Sequence, residues 1–315
     1  MPHINRPRRG SLQYWPRKRA KRIYPRISHW PHSTEAKPLG FAGWKAGMTH
    51  VQITDNDQNS STFGKIITKT ATVLDAAPLF VCAVRFYKES KCISEKWSEK
   101  LPKHIELKIG KGKRLGSEPN VHDRVTLIVS TQPEKSGMKK MKPELFEIAI
   151  GGEPDKQRHA ALAMLGKELG AEEIFKPGDF IDVAAITKGF GFQGPVKRFG
   201  IRIQTRKDQQ HHRHVGSIGS TVPRKVDWRV PAAGQHGFHK RTEYNKRVMM
   251  ISNEPKKIIP KGGFVGYGNP SHFILLEGSV PGPNKRLIRL RKSVRAHNPR
   301  PVDIKYISLE SKQGV

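Results

Sequence analysis

The chain has 315 residues, with 58 Lys and Arg against 27 Asp and Glu and a formal net charge of +31. Self-repulsion on that scale opposes compaction and calls for a partner that neutralises it, a polyanion. The apolar fraction of 36% is below the roughly 45–50% (Gly included) of globular chains, and no apolar run nears the roughly 20 residues of a membrane span, so a modest core with unpacked extensions is expected and a membrane protein is not.

In chain order, residues 1–38 read as an arm. Nine Lys or Arg precede the first acid, Glu35, and Pro2, Pro7, Pro16, Pro25 and Pro31 exclude regular helix. Without an apolar stretch behind the basic start it is no signal peptide. Tyr14, Trp15, Tyr24, His29 and Trp30 interleave with Arg8, Arg9, Arg17, Lys18, Arg19, Lys21 and Arg22. Cations track phosphates and aromatic faces accept unstacked bases, so an arm that orders on RNA is favoured over a solvated tail.

Residues 39–88 begin a β body. LGFAGWKAGMTHVQI reads as a strand, a Gly turn and a second strand, with Lys45 as a candidate RNA contact. Further strands are expected over Lys65–Leu74 and Leu79–Phe86. The run LFVCAVRF is apolar enough to be buried, which makes Cys82 an interior thiol. Cys82 and Cys92 are the only cysteines. They make neither a disulfide framework nor a zinc knuckle, and reduced thiols in the cytoplasm are expected.

Residues 89–177 read as an inserted α+β subdomain. Residues 116–185 hold twelve acids and nine bases, a reversal of sign that marks a part facing solvent or protein. Strands are expected over Arg124–Ser130 and Leu145–Ile150. A helix is expected from Pro154 through Leu162, Leu165 and Leu169, stopped by Gly170. The β body resumes over 178–187 and 248–310, with strands at Phe180–Ile186, Phe264–Tyr267, His272–Val280 and Ile304–Leu309. Near its end Arg289 and Arg291 alternate with Leu287, Ile288 and Leu290, a strand with one face on RNA or on solvent. Residues 311–315 are a tail.

Residues 188–247 form a basic central extension with fourteen Lys and Arg, five His and three acids. It has no sustained apolar period and so no core of its own. Lys188, Lys197, Arg198, Arg202, Arg213, Arg224, Arg229, Lys240, Arg241 and Arg247 are candidate phosphate contacts. GFGFQG carries the letters of a dinucleotide loop, but Pro195 follows at once and no amphipathic helix opens there. Its glycines suit close approach to a phosphate chain instead. His211, His212 and His214 invite a metal reading, yet Arg213 stands among them and Asp208 is the only near acid; RNA contact is the better assignment. Trp228, bracketed by Pro223 and Pro231, marks a finger tip that stacks on a base, worth roughly 1–3 kcal/mol; a core Trp is the competing reading. Gln235, His236 and His239 are further base or crevice contacts. Catalytic constellations, metal sites and cofactor loops do not stand out. An RNA-modifying enzyme and a DNA architectural protein remain as competing classes.

Several motifs add a resemblance. PRRGSLQYWPRKRAKR (7–22), FAGWKAGMTH (41–50), KGFGFQGPVKRFG (188–200), HHRHVGSIGS (211–220), AAGQHGFHKRTEYNKR (233–247) and EGSVPGPNKRLIRLR (277–291) resemble, in order, the family of the third large-ribosomal-subunit protein in its archaeal and eukaryotic form. The resemblance implies a mostly β fold: a closed Greek-key β-barrel of the translation-protein type with an inserted α+β subdomain and long basic rRNA-threading extensions. It implies binding near the 3′ end of 23S-type rRNA, an early role in assembly, a finger toward the peptidyl-transferase centre, and no homo-oligomer. Large-subunit protein fourteen and the eukaryotic-type protein twenty-four are the implied neighbours. STVP places Val222 where eukaryotic members carry the His of a Trp-His-Pro, and the Lys-rich tail of those members is absent from SLESKQGV; both favour an archaeal member.

Overall fold

Gly40–Thr54 forms one unbroken strand, β1, in the computed structural model, which describes residues 10–110, 116, 118–119, 121–138, 140–295 and 298–311. The expected Gly turn within it is absent. A Cβ on Gly43 would stand 2.8 Å from the Asp75 carbonyl oxygen, and one on Gly47 would stand 2.5 Å from the Phe264 ring. These glycines admit neighbours; they do not reverse the chain. The strand bends through a register shift against the next strand between Lys45 and Gly47.

The remaining elements are β2 (Ile66–Asp75), β3 (Leu79–Lys88), β4 (Lys91–Trp97), α1 (Lys103–Ile109), β5 (Arg124–Thr131), β6 (Leu145–Ala149), α2 (Pro154–Met164), β7 (Glu168–Leu169), β8 (Phe180–Ile186), β9 (Gly189–Gln193), α3 (Pro195–Phe199), β10 (Gly234–Gly237), β11 (Lys240–Ser252), β12 (Phe273–Glu277), β13 (Leu287–Lys292) and β14 (Ile304–Ile307). The protein is mostly β, as expected. Phe264–Tyr267 is a turn with a single bridge, Phe264 to Gly268, and not a strand. Its aromatic residues face inward: Phe264 fills the space over Gly47, and the Tyr267 hydroxyl donates to Asp75 at 2.8 Å.

Two units partition the chain. The β unit comprises Ile23–Ala185 and the chain from Arg241 onward; the extension unit comprises Ile186–Lys240 and the segment ending at Arg22. In the β unit one sheet runs in the order β13-β8-β11-β12-β2-β1-β14, and β13 also pairs with β1, Gly40 opposite Arg291 through Trp44 opposite Leu287. Strand pairing thus returns on itself around a core that includes Phe41, Trp44, Leu74, Phe273, Leu275 and Leu290. The second sheet runs β4-β3-β5-β6, with β7 on β3. Hydrogen bonding therefore assigns Leu79–Lys88 to the second sheet.

Helix α2 ends at Met164, earlier than the leucine spacing implies. Gly166 takes φ +75°, its N–H donates to the Val81 carbonyl at 3.0 Å, and Val81 N–H donates back to Lys167. The edge of β3 captures the chain, so Leu169 is buried opposite Leu79 in a strand pair. The start of the helix is tied to β5: the Gln157 amide accepts from Val125 N–H at 2.9 Å and donates to the Gly152 carbonyl at 2.7 Å.

The basic strand β13 corrects another expectation. Arg289 is 2% exposed and Arg291 7%, so neither presents a face to RNA or solvent. The Arg289 guanidinium lies 3.8 Å from the Phe146 ring centroid and donates to the Glu147 carbonyl at 2.7 Å. Burial pushes its pKa down to about 9, which leaves it cationic at neutral pH. Arg291 stands opposite Asp182 in the β8–β13 register and bonds it at 2.9 and 3.0 Å.

Candidate nucleic-acid interface

The extension unit is built on a two-stranded ribbon of β9 and β10, with Gln193 opposite Gly234 and Phe192 opposite Gln235. A two-stranded ribbon is marginal alone. Here a short helix and one arginine hold it. Pro195 opens α3 at its first position, where a missing N–H costs nothing, and Gly200 (φ 65°, ψ 33°) closes it by donating to the Val196 carbonyl at 2.8 Å. From α3, Arg198 reaches the return strand. Its Nε donates to the Gln235 carbonyl at 3.0 Å and its Nη1 to the Ala232 carbonyl at 2.8 Å.

The arm residues from Gly10 onward complete this unit. Trp15 stacks on Phe199 (5.9 Å between centroids, 24° between planes), and the Arg17 guanidinium lies 4.2 Å from the same ring centroid. The Ala20 N–H donates to the Phe238 carbonyl at 2.9 Å, and the His239 ring nitrogen Nδ1 donates to the Lys18 carbonyl at 2.9 Å. Pro195, Phe199, Gly237 and His239 are buried. The extension thus has a small core, which the expectation of none missed because the arm residues Trp15 and Arg17 pack over Phe199.

Trp228 is 56% exposed and stands edge-on to Trp15, 5.4 Å between centroids and 80° between planes. The Asp227 carboxylate accepts from Arg229 N–H at 2.8 Å, and Val230 N–H donates to the Asp227 carbonyl at 3.1 Å. This local turn presents Trp228, and Arg229 lies 5.4 Å over its ring. Trp15, Arg17, Arg198, Trp228 and Arg229 are therefore brought together.

In the same unit Tyr14, Lys18, Arg19, Lys21, Arg22, Lys188, Lys197, Arg202, Arg213, Arg224 and Lys240 are exposed. Arg19 covers Phe238 at 5.0 Å, and Lys197 covers Phe190 at 4.8 Å. In the His group, His212 Nδ1 donates to the Thr205 carbonyl at 3.1 Å, while the His211 and His214 rings meet edge-on at 6.2 Å. His214 Nε2 accepts from the Gln204 amide at 3.4 Å, and His211 and His214 are exposed. Gln235 folds back, its amide donating to the Gly237 carbonyl at 3.0 Å. Burial, followed by His239, Lys197, Arg17 and Arg198, holds the His236 imidazole below its ordinary value.

Three expected contacts belong to the β unit instead. Lys45 is 8% exposed, and its ammonium donates to the Val280 and Gly282 carbonyls at 2.9 and 3.1 Å; burial lowers its pKa. Arg247 pairs with Glu277 at 2.8 Å. Arg241 lies half-buried near the start of β11. Arg8 and Arg9 lie outside the described residues. Composition alone did not single out Phe190, Phe192 and Phe199. The signal for them was present in GFGFQGPVKRF, where they are the only aromatic rings among cations and glycines.

These features define a class: proteins that join a folded β unit to a cationic, aromatic-bearing extension suited to a polyanion. The ribosomal protein L3 family matches residues 1–115 and 114–314, and the chain belongs to it. It is similar to the large ribosomal subunit protein uL3 of Methanopyrus kandleri, 44% identical over 98% of this chain and 92% of that one. The same holds for uL3 of Archaeoglobus fulgidus, 44% identical over 98% and 99%, and of Methanocaldococcus jannaschii, 42% identical over 99% of both. These relatives are archaeal, in line with the archaeal type that the resemblance implies. Family membership makes the chain a constituent of the large ribosomal subunit.

Proposed function

We propose that the chain is a primary rRNA-binding protein that joins 23S-type rRNA near its 3′ end, nucleates large-subunit assembly in the cytoplasm, and sends its extension toward the peptidyl-transferase centre. The observation that carries this reading is the division of charge. Between Ile186 and Lys240 there are eleven Lys and Arg and two acids, Asp208 and Asp227. Both acids accept from nearby backbone N–H groups. The exposed cations suit phosphates, and the exposed rings suit unpaired bases. The six-strand ring of the β unit we read as the closed Greek-key barrel of the translation-protein type, which holds the roots of the extension. Large-subunit protein fourteen and the eukaryotic-type protein twenty-four are the proposed neighbours, and neither metal nor cofactor has a part in the mechanism.

The test is binding of the purified chain to 23S-type rRNA fragments across a salt series. A protein that neutralises several phosphates shows a steep fall in affinity with salt, by roughly 0.7–0.9 log units per contact for each tenfold step. Selective binding to the 3′-terminal domain with such a slope supports the proposal. Equal binding to duplex DNA of the same length refutes it in favour of a DNA architectural role.

A further inference from the structure

The reading above singles out neither Phe190 nor Phe192. Phe192 is 79% exposed and Phe190 41%. A two-stranded ribbon has no second layer to cover such rings, and exposed apolar surface of this kind marks an interaction site.

The backbone around Phe190 is shaped to hold it. The register slips between Gln235 and Gly237, so β9 bulges opposite His236, and Gly191 takes φ +69° in that bulge. Gly237 takes φ +69°, and a Cβ there would stand 2.0 Å from the Lys188 carbonyl oxygen and 3.0 Å from the Phe190 ring, so a glycine at 237 lets the two strands and the ring close up. There Phe190 stacks on His236, 5.2 Å between centroids and 27° between planes. With its pKa held down by burial and by neighbouring cations, His236 is a neutral ring at pH 7 and offers a face rather than a charge. The charge stands beside it: the Lys197 and Lys188 ammonium groups lie 4.8 and 5.9 Å from the Phe190 centroid.

We infer that the β9–β10 ribbon is a stacking platform for unpaired RNA nucleotides, in which Phe192 and the Phe190–His236 pair take base faces and Lys188 and Lys197 take the flanking phosphates. The inference rests on the RNA-binding reading and adds the kind of RNA. A duplex hides its base faces in the stack, while a splayed single strand offers them to aromatic rings. Charge selects the occupant. Whatever covers these rings meets a segment with eleven cations and two acids, which suits a phosphate chain and repels the basic tail of another protein.

The experiment uses the full chain with a short single-stranded oligoribonucleotide, and with a duplex RNA of equal length. Phe192 is exposed enough that Phe192→Leu leaves the fold intact, which circular dichroism checks. Phe192→Leu should weaken single-strand binding by roughly 5- to 150-fold, the range for loss of one stacked base, with the salt slope and the duplex affinity unchanged. Phe192→Trp should restore the affinity. Lys188→Ala with Lys197→Ala should lower the salt slope instead. Unchanged single-strand affinity for Phe190→Leu with Phe192→Leu, in a chain that still binds rRNA, overturns the platform and leaves a protein neighbour as the cover of the ribbon. Failure of the unaltered chain to bind either RNA refutes the underlying RNA-binding reading as well.

Discussion

Replacing Arg291 by Met separates two roles for the basic strand β13. Alternation in LIRLRK points Arg291 outward to phosphate; the fold points it at Asp182. That carboxylate is fully buried and accepts from Arg291 Nη2 and Nε at 2.9 and 3.0 Å, from Asn245 N–H at 3.1 Å and from Val294 N–H at 3.2 Å. Arg291 Nη1 also donates to the His29 carbonyl. Truncating one partner of a buried pair leaves an uncompensated charge, at roughly 3–5 kcal/mol. Two backbone donors remain on Asp182, which favours the lower end. Loss of the bond to His29 adds about 1 kcal/mol, so Arg291→Met should cost about 4 kcal/mol. Arg291→Met combined with Asp182→Asn removes both charges, but the one amide oxygen serves only one of the two backbone donors, Asn245 on Oδ1 and Val294 on Oδ2, so only part of the loss should return. Urea unfolding of the RNA-free chain, followed by tryptophan emission, reads both variants. A loss below about 1 kcal/mol in the single variant, together with weaker rRNA binding and a salt slope reduced by about one, would refute the burial argument and return Arg291 to the RNA face.

Asp75 gives a pH dependence. Burial raises its carboxyl to about 6, against lowering bonds from the Tyr267 hydroxyl and Gly137 N–H, both at 2.8 Å. A carboxyl raised on folding adds stability that is complete below its unfolded value near 4 and is lost as pH climbs through about 6. The unfolding free energy of the wild type minus that of Asp75→Asn should therefore fall by roughly 3 kcal/mol between pH 4 and pH 7, and a flat difference would show the group titrates normally. Arg198→Ala removes the ties to the Gln235 and Ala232 carbonyls; amide exchange at Gly234–Gly237 should accelerate by an amount corresponding to roughly 1–3 kcal/mol, with the β sheets unaffected. Trp228→Ala should leave urea unfolding of the β unit within about 0.5 kcal/mol of wild type while changing the near-ultraviolet dichroism of Trp15. A large drop in stability would mark Trp228 as core.

Strands whose apolar residues run continuously were legible. Leu79–Lys88 and Phe180–Ile186 sit where their β-branched and aromatic runs place them. The misreadings share one cause: a local rule met a long-range neighbour. Gly43 and Gly47 look like turn residues until the Asp75 carbonyl and the Phe264 ring are found beside them. Leu162, Leu165 and Leu169 keep helical spacing, but the edge of β3 takes the last of them. Lys45 reads as a phosphate contact, and the carbonyls that hold it lie more than two hundred residues away. Asp182 was the available clue to Arg291. An acid in the middle of FIDVAAI has to find a cation, and an arginine in an equally apolar strand is the natural one. At the candidate site, charge density located the region. The pairing of the arm with α3 was not legible, since nothing in QYWPRKRA names Phe199 as its partner.

The two units treat their cations differently, and that contrast is the physical basis for assigning the interface. In the β unit many basic side chains meet carboxylates: Lys69 and Arg247 share Glu277, Arg85 lies between Glu95 and Glu147, Lys96 and Arg158 share Glu118, and Arg291 holds Asp182, while the buried Lys45 and Arg289 are held by carbonyls. Such pairs neutralise charge within the fold. In the extension unit the corresponding partners are backbone carbonyls, for Arg198, and aromatic faces, for Arg17, Arg19, Lys197 and Arg229. Carbonyls and rings orient a cation without cancelling its charge. Arg198 and Arg17 thereby fix the shape of the ribbon and the arm, while the exposed lysines and arginines around them keep their full field. A segment with eleven cations and two acids, shaped in part by backbone carbonyls and aromatic faces, is pre-organised for an anionic partner.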